Sequence, residues 1–127
     1  MSHTFLGSRL CKTLDLGTHG NLFGGRMMEW ADEEAAVFAH KYTKEPRMVT
    51  KMIGQVMFLK PVKEGQVISF FISDAKIRNT SVSFTLEARV DNDPVFTGTQ
   101  FVFVALDKNG KKKQITEGKW VLDNYER

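Results

Sequence analysis

The chain has 127 residues, of which 42% are hydrophobic and 26% charged, and these values are typical of a single globular domain without a membrane-spanning segment. The net charge of +3 is mild, and the one basic run, Lys111–Lys113, has no interleaved aromatic residues, so we expect no nucleic-acid partner. One cysteine and three scattered histidines predict neither a disulfide nor a metal site, and the absence of a signal-peptide pattern predicts a cytoplasmic protein.

The first predicted element is a strand over residues 8–14. Leu10 is expected to face the interior, and Leu14 is a candidate for the same face. Residues 15–21 are rich in turn formers and are interpreted as a loop. The loop ends in a glycine-rich turn that leads into the most regular segment of the chain.

That segment predicts a helix from about Gly24 to Tyr42, because it lacks proline and interior glycine and its apolar residues fall on one side. The helix is expected to stop shortly before Pro46 and to be roughly 28 Å long. Glu29 and Glu33 fall on the opposite, solvent-facing side. The apolar side consists of Met27, Met28, Ala31, Ala35, Phe38, Ala39 and Tyr42.

Asp32 lies at the edge of this apolar side, apart from the other helix acids. One interpretation is a half-solvated boundary carboxylate with a structural partner. The other is an acid at the wall of a pocket, where partial desolvation prepares it to act as a base or a nucleophile.

Gly24 and Gly25 stand where the first N–H groups of a helix have no intrahelical acceptor. Without side chains, these positions allow a ligand oxygen to approach the N–H groups, and the helix dipole favours negative charge there. The alternative is that the glycines only permit a tight turn and close packing of helix on sheet. A Gly-Gly pair alone does not separate the two.

After Pro46 the apolar period changes to two, which predicts strands over residues 48–59, either continuous or with a bulge at Gly54, and over residues 66–77, 81–90 and 95–106. Short connections predict an antiparallel sheet of five to six strands with the helix across it, an α+β fold. Residues 1–127 form one predicted domain, with a core at about 8–106 and a polar tail at about 111–127. The candidate docking residues of the tail are Trp120, Val121, Leu122 and Tyr125.

The turn Gly20-Asn21-Leu22-Phe23-Gly24-Gly25, followed by Met28 and by Ala31-Asp32-Glu33 in a helix, resembles the signature of the hotdog-fold acyl-CoA thioesterases of the cytosolic acyl-CoA hydrolase type. The resemblance extends over roughly residues 8–106. It implies a hotdog fold, hydrolysis of acyl-CoA to a carboxylic acid and CoA, and no further cofactor. It also implies a homodimer or a larger assembly, such as a tetramer or hexamer, with the active site at the interface between copies.

In this family an Asp at the position of Asp32 is catalytic, as general base or as nucleophile, and some members also use the Asn of the turn, here Asn21. The Gly24 and Gly25 N–H groups would stabilise the oxyanion. The resemblance places CoA phosphate and pantetheine contacts at the turn formed by Arg78, Asn79, Thr80 and Ser81. Lys60 and the Lys111–Lys113 run are weaker candidates for the same ligand.

One departure from the family pattern and two alternative functions accompany this assignment. Asp32 is followed by Glu33 and Glu34, where many members have small residues, so those acids either face solvent or alter substrate access. A hotdog hydratase or dehydratase and a non-catalytic acyl-CoA-binding protein are the competing functions. The acyl chain length is open, and Met28, Met52 and Phe58 are candidates for the floor of the pocket.

Overall fold

The computed structural model describes residues 2–116, and its regular elements are five strands and one α-helix. The predicted docking residues of the tail lie outside this range. In chain order the elements are β1 (Thr4–Leu10), α1 (Gly24–Thr43), β2 (Met48–Phe58), β3 (Val67–Ile77), β4 (Ser81–Val90) and β5 (Asp93–Ala105), with a short 3₁₀ turn at Thr13–Asp15.

The five strands form one sheet in the order β1-β3-β4-β5-β2, and each neighbouring pair is antiparallel. Strands β1 and β2 are therefore the two edges. Helix α1 lies across one face, so the predicted layout of a single helix on an antiparallel sheet is confirmed. Within residues 2–116 no helix is long and apolar enough to cross a membrane.

The core lies between α1 and the inward side of the sheet, because β4 alternates between buried and half-buried residues along its whole length. The predicted apolar side of α1 is buried, except that Met28 is half-buried. Trp30 is also buried, which the helical periodicity did not predict. The Arg9 guanidinium lies over the Trp30 ring, 5.9 Å from its centre.

The prediction of a first strand at residues 8–14 was wrong by about four residues. The strand is Thr4–Leu10, and Leu10 and Leu14 are both exposed, while Cys11 is buried. The physical reason is Asp15, whose carboxylate accepts a hydrogen bond from the Lys12 N–H at 2.9 Å and closes a turn where the prediction continued a strand.

The predicted bulge at Gly54 is also displaced. The pairing of β2 with β5 shifts between Thr50 and Met52, and the left-handed residue of the strand is Gln55, with φ of 50°. The shift places one extra residue in β2. As a result Thr50 and Ile53, three residues apart, both face α1.

Candidate active site

Asp32 is half-buried in the middle of α1 and is bound to the neighbouring edge strand. Thr50 Oγ1 donates a hydrogen bond to Asp32 Oδ1 at 2.8 Å. Asp32 could be identified from the sequence and Thr50 could not, because the contact depends on the register shift in the pairing of β2 with β5. Only one carboxylate oxygen of Asp32 is used among the described residues, so the second oxygen is available to a water molecule or a substrate.

The N-terminus of α1 presents free backbone donors. Residue Phe23 is the N-cap and offers no side-chain hydrogen bond, and the Arg26 and Met27 N–H groups both donate to the Phe23 carbonyl. Within residues 2–116 the Gly24 and Gly25 N–H groups have no acceptor. Two adjacent unpaired donors at a helix N-terminus are the arrangement that stabilises a developing oxyanion.

The two glycines also have packing roles. A Cβ atom at Gly25 would lie 2.6 Å from Cε2 of the Phe23 ring, so a side chain at this position requires that ring to move. At Gly24 the nearest atom would be Cε1 of Phe58, at the ordinary contact distance of 3.5 Å. The close packing of the Phe23 ring therefore explains why residue 25 is a glycine. At Gly24 no such crowding occurs, so a ligand has space to approach its N–H group.

A cavity of about 480 Å³ lies next to this helix terminus. Asn21 and Gly24 line it, whereas Asp32 does not. The side-chain amide of Asn21 makes no hydrogen bond to the described residues. Of the three residues proposed for the pocket floor, Phe58 lines this cavity and Met28 and Met52 do not.

The loop before α1 is fixed by Asp15, which is buried. The Phe23 N–H donates to the Asp15 carbonyl at 2.9 Å, and Arg26 Nε lies 3.3 Å from Asp15 Oδ1. The Leu22 N–H donates to the Val62 carbonyl at 2.7 Å. These contacts hold the glycine turn in a single position relative to the sheet, so the free N–H groups are preorganised.

Asp32 and Gly24 do not meet within one chain. They are eight residues apart on the same helix, which corresponds to about 12 Å along its axis. A carbonyl oxygen at the Gly24 N–H is therefore beyond reach of the Asp32 carboxylate of the same copy. The sequence prediction that the site is shared between copies fits this separation.

The predicted CoA-binding turn lies at the opposite end of the sheet. Ser81 pairs with Val104, which also pairs with Val49 at the start of β2. Phe58, at the other end of β2, contacts Gly24. At about 3.3 Å per residue the two ends of β2 are roughly 30 Å apart, so the turn and the helix N-terminus of one copy are remote from each other.

The turn itself is held by the last residue of β5 and by the chain that follows this strand. The Ala105 N–H donates to the Thr80 carbonyl and the Ile115 N–H donates to the Asn79 carbonyl. The Arg78 and Asn79 side chains remain exposed.

The basic run is not wholly solvated, because Lys113 Nζ lies 2.9 Å from Oε1 of the buried Glu45.

Glu33 and Glu34, the departure from the family pattern, form ion pairs with the edge strand. The two terminal nitrogens of Arg9 lie 3.1 Å from one oxygen each of Glu33 and Glu34. Gly7 leaves room for the Glu34 carboxylate, since a Cβ there would stand 3.1 Å from Oε1. Both acids therefore connect α1 to β1, on the side of the helix away from Thr50.

Cys11 is not a candidate nucleophile. Burial raises the pKa of its thiol above the ordinary value, and the nearby Asp15 and Glu64 carboxylates raise that pKa further. A buried protonated thiol is a poor nucleophile. Among residues 2–116 no group of three His, Cys, Asp or Glu side chains is arranged to hold a metal ion.

Comparison with known proteins relates this architecture to a family. A model of the thioesterase superfamily matches residues 19–97. The acyl-CoA thioester hydrolase YciA of Salmonella typhimurium is 30% identical over 127 aligned residues, which cover 91% of this chain and 95% of that protein.

Solved structures agree in fold. The acyl-CoA hydrolase of Staphylococcus aureus, solved with butyryl-CoA and CoA, is 28% identical, with a TM-score of 0.79 over 95% of this chain and 80% of that one. A hexameric hotdog-fold thioesterase of Campylobacter jejuni is 25% identical, with a TM-score of 0.81 over 97% of this chain and 96% of that one. The expected hotdog fold is confirmed.

The S. aureus hydrolase has also been solved with alanine in place of an asparagine, an aspartate and a threonine. The spacing of its aspartate and threonine differs by one residue from that of Asp32 and Thr50. When the separation between its asparagine and its aspartate is counted back from Asp32 in this chain, the count ends at Gly17 and not at Asn21. A role for Asn21 therefore stays a prediction.

Proposed function

This chain belongs to the thioesterase superfamily, and on that basis we propose that it hydrolyses acyl-CoA to a carboxylic acid and free CoA. The observation that carries the proposal is the half-buried Asp32 carboxylate, oriented by Thr50, together with a helix N-terminus whose first two N–H groups have no acceptor within residues 2–116. These are the two components that thioester hydrolysis needs, a base or nucleophile and an oxyanion site.

In the proposed reaction the thioester oxygen binds at the Gly24 and Gly25 N–H groups and becomes the oxyanion. Asp32 either takes a proton from the attacking water or attacks the carbonyl carbon itself. In the first route the new C–O bond comes from water and the C–S bond breaks directly. In the second a mixed anhydride forms as CoA thiolate leaves, and water then hydrolyses it. Asn21 orients the water or the carboxylate by hydrogen bonds.

The site is completed by a second copy that pairs along β2. Strand β2 is an edge and exposes Val49, Met52 and Met57. Two copies related by a two-fold axis join such edges in antiparallel orientation, so the start of one β2 lies beside the end of the other. Asp32 and Thr50 of one copy thereby approach the helix N-terminus of the second.

The same arrangement supports the CoA assignment. The turn from Arg78 to Ser81 lies at the start of β2 in its own copy, so it stands near the helix N-terminus of the second copy. The Arg78 guanidinium suits phosphate, and the Thr80 and Ser81 hydroxyls suit phosphate or pantetheine amides. Because the C. jejuni relative is described as a hexamer, we propose that dimers of this chain assemble further.

The direct test is release of CoA thiol from acyl-CoAs ranging from acetyl- to dodecanoyl-CoA, with the carboxylic acid product identified by mass spectrometry. We expect turnover that rises in proportion to protein concentration. Enoyl-CoA substrates should lose their thioester and keep their double bond. Hydration of the double bond with the thioester intact, or binding of acyl-CoA without thiol release, would contradict hydrolysis. After a single turnover in ¹⁸O-water, ¹⁸O in Asp32 identifies the anhydride route with water attack at the aspartyl carbon, because general-base hydrolysis places ¹⁸O only in the carboxylic acid product.

A further inference from the structure

We propose that the cavity beside the N-terminus of α1 is the acyl-chain subsite and that Met27, Val62 and Val95 form its closed end and limit the length of the chain. The proposal rests on the function proposed above and adds to it the class of acyl group. The cavity volume of about 480 Å³ is within the range of small-molecule sites in proteins.

The position of the cavity fits the reacting group. Gly24, whose N–H is free to bind the thioester oxygen, is itself part of the cavity lining. A carbonyl bound at that N–H therefore stands at the cavity, and the carbons attached to it can enter. The acyl chain of the substrate can therefore extend from the reacting carbonyl into the subsite without crossing the sheet.

The depth of the cavity is set by three buried side chains. Met27, Val62 and Val95 are 3%, 3% and 4% exposed, whereas Phe58, Lys60 and His19 on the lining are exposed. The buried residues consequently form the inner end and the exposed ones the mouth. Among the described residues of the lining, and with His counted as neutral, Lys60 alone carries a formal charge, and it is paired with Asp93 outside the cavity.

The apolar inner end and the exposed mouth determine which part of an acyl-CoA can occupy the cavity. The inner end offers hydrocarbon and no polar side chain, so a carboxylate or amide placed there would lose its hydrogen bonds to water without replacement. The pantetheine arm of CoA contains two amides and is excluded from the inner end on this ground. An uncharged hydrocarbon acyl chain fits it, whereas an acyl chain that ends in a carboxylate does not.

The wall is built to keep its dimensions. The Leu22 N–H donates to the Val62 carbonyl at 2.7 Å, and the Leu59 N–H donates to the Val95 carbonyl at 2.8 Å. Val62 and Val95, two of the three residues at the closed end, thus accept backbone hydrogen bonds from the segments that line the mouth. A rigid wall discriminates by volume, and one methylene more or less in an apolar pocket changes specificity roughly 10- to 200-fold.

The test compares Val95→Met with Val90→Met, which makes the same change at a buried valine of the neighbouring strand that does not line the cavity. Affinities for S-alkyl-CoA thioethers of increasing chain length are measured by calorimetry, since a thioether binds without being hydrolysed. Turnover of the matching acyl-CoAs and of succinyl-CoA is measured in parallel, and thermal unfolding confirms that each variant is folded.

We expect Val95→Met to weaken the longest thioethers at least tenfold and to leave the shortest unchanged, while Val90→Met keeps the parent profile. Met27→Ala enlarges the cavity and should shift the preference to longer chains, which keeps the test valid if Val95→Met does not fold. Succinyl-CoA should be a poor substrate beside butyryl-CoA.

A length profile that is the same in the parent, Val95→Met and Met27→Ala would overturn the subsite, whether or not the protein hydrolyses acyl-CoA. The subsite would also be overturned if Val90→Met shifted the profile as much as Val95→Met. Absence of turnover together with the expected shift in thioether affinity would instead contradict the proposed function and leave the subsite supported.

Discussion

Thr50 Oγ1 donates a hydrogen bond to Asp32 Oδ1 at 2.8 Å and so connects the exposed edge strand to the middle of the helix. A carboxylate held in this way presents its other oxygen in a fixed direction, which favours proton transfer or attack. The edge strand that carries Thr50 is also the surface where we place the second copy.

Replacing Thr50 with Val removes the hydroxyl while keeping the shape. Hydrogen bonds to charged groups are worth about 1.5–3 kcal/mol, so we expect kcat to fall roughly 10- to 100-fold, with a smaller change in KM. Thr50→Ser, which retains the hydroxyl, should keep most of the activity. Steady-state kinetics of the two variants test whether the hydroxyl is required. Equal losses of kcat in both would show that Thr50 acts through packing.

Arg78→Gln tests the predicted CoA turn. We expect KM for acyl-CoA to rise about tenfold or more with kcat little changed, because a charge-assisted phosphate contact made equally in the ground and transition states is lost. Arg78→Lys keeps the charge and should have an intermediate effect. Acyl-dephospho-CoA lacks the 3′-phosphate, so its KM shows whether Arg78 contacts the 3′-phosphate or another phosphate of CoA. If its KM is insensitive to Arg78→Gln, the contact is with the 3′-phosphate. A KM for acyl-CoA that does not change in Arg78→Gln would remove Arg78 from the site.

Met57→Asp tests the shared site. Met57 is exposed on β2, and a carboxylate buried in an interface there would be strongly unfavourable. We expect sizing by light scattering to show smaller assemblies and turnover to fall with the loss of the dimer. Leu14→Asp makes the same kind of change at a residue that is 87% exposed and should keep both assembly and activity. A monomeric Met57→Asp protein with full activity would refute a site shared between copies.

Gly98→Ala tests the packing of the sheet. A Cβ atom at this buried glycine would overlap the ring of Phe101, which is itself fully buried and stacked on Phe84. Overpacking of this kind costs about 1–3 kcal/mol, and we expect the urea midpoint to fall accordingly. Gly17→Ala, where a Cβ would meet only ordinary contacts, is the control for the change of residue type. Equal midpoints for the two variants would contradict the packing described.

The helix and the strands after it could be predicted from the sequence, because their signals are local. The helix begins at Gly24 as expected and ends one residue later than expected, before Pro46. Strand β4 has the predicted bounds, since its strict alternation reflects one buried and one half-buried face. The glycine turn and Asp32 were identified by their spacing in a family signature.

The rest depended on contacts between distant parts of the chain. Thr50 reaches Asp32 through a register shift in the pairing of β2 with β5, and no local pattern encodes that shift. Trp30 is buried within the hydrophobic core, and Arg9 of the first strand lies over its ring. The first strand was misplaced because apolar Leu10 and Leu14 suggested an inward face, while the Asp15 carboxylate closes a turn there.

We expect Asp32 to be the catalytic carboxylate of an acyl-CoA thioesterase, and measuring CoA thiol release by Asp32→Asn tests this directly. Glu29→Gln is its matched control, since it makes the same carboxylate-to-amide change on the exposed side of the same helix. We expect kcat for the best substrate to fall by about 10²-fold or more in Asp32→Asn, because general acid–base catalysis contributes that much, and to change little in Glu29→Gln. Equal activity in Asp32→Asn and the parent, with both proteins folded and assembled, would show that Asp32 is not the catalytic carboxylate.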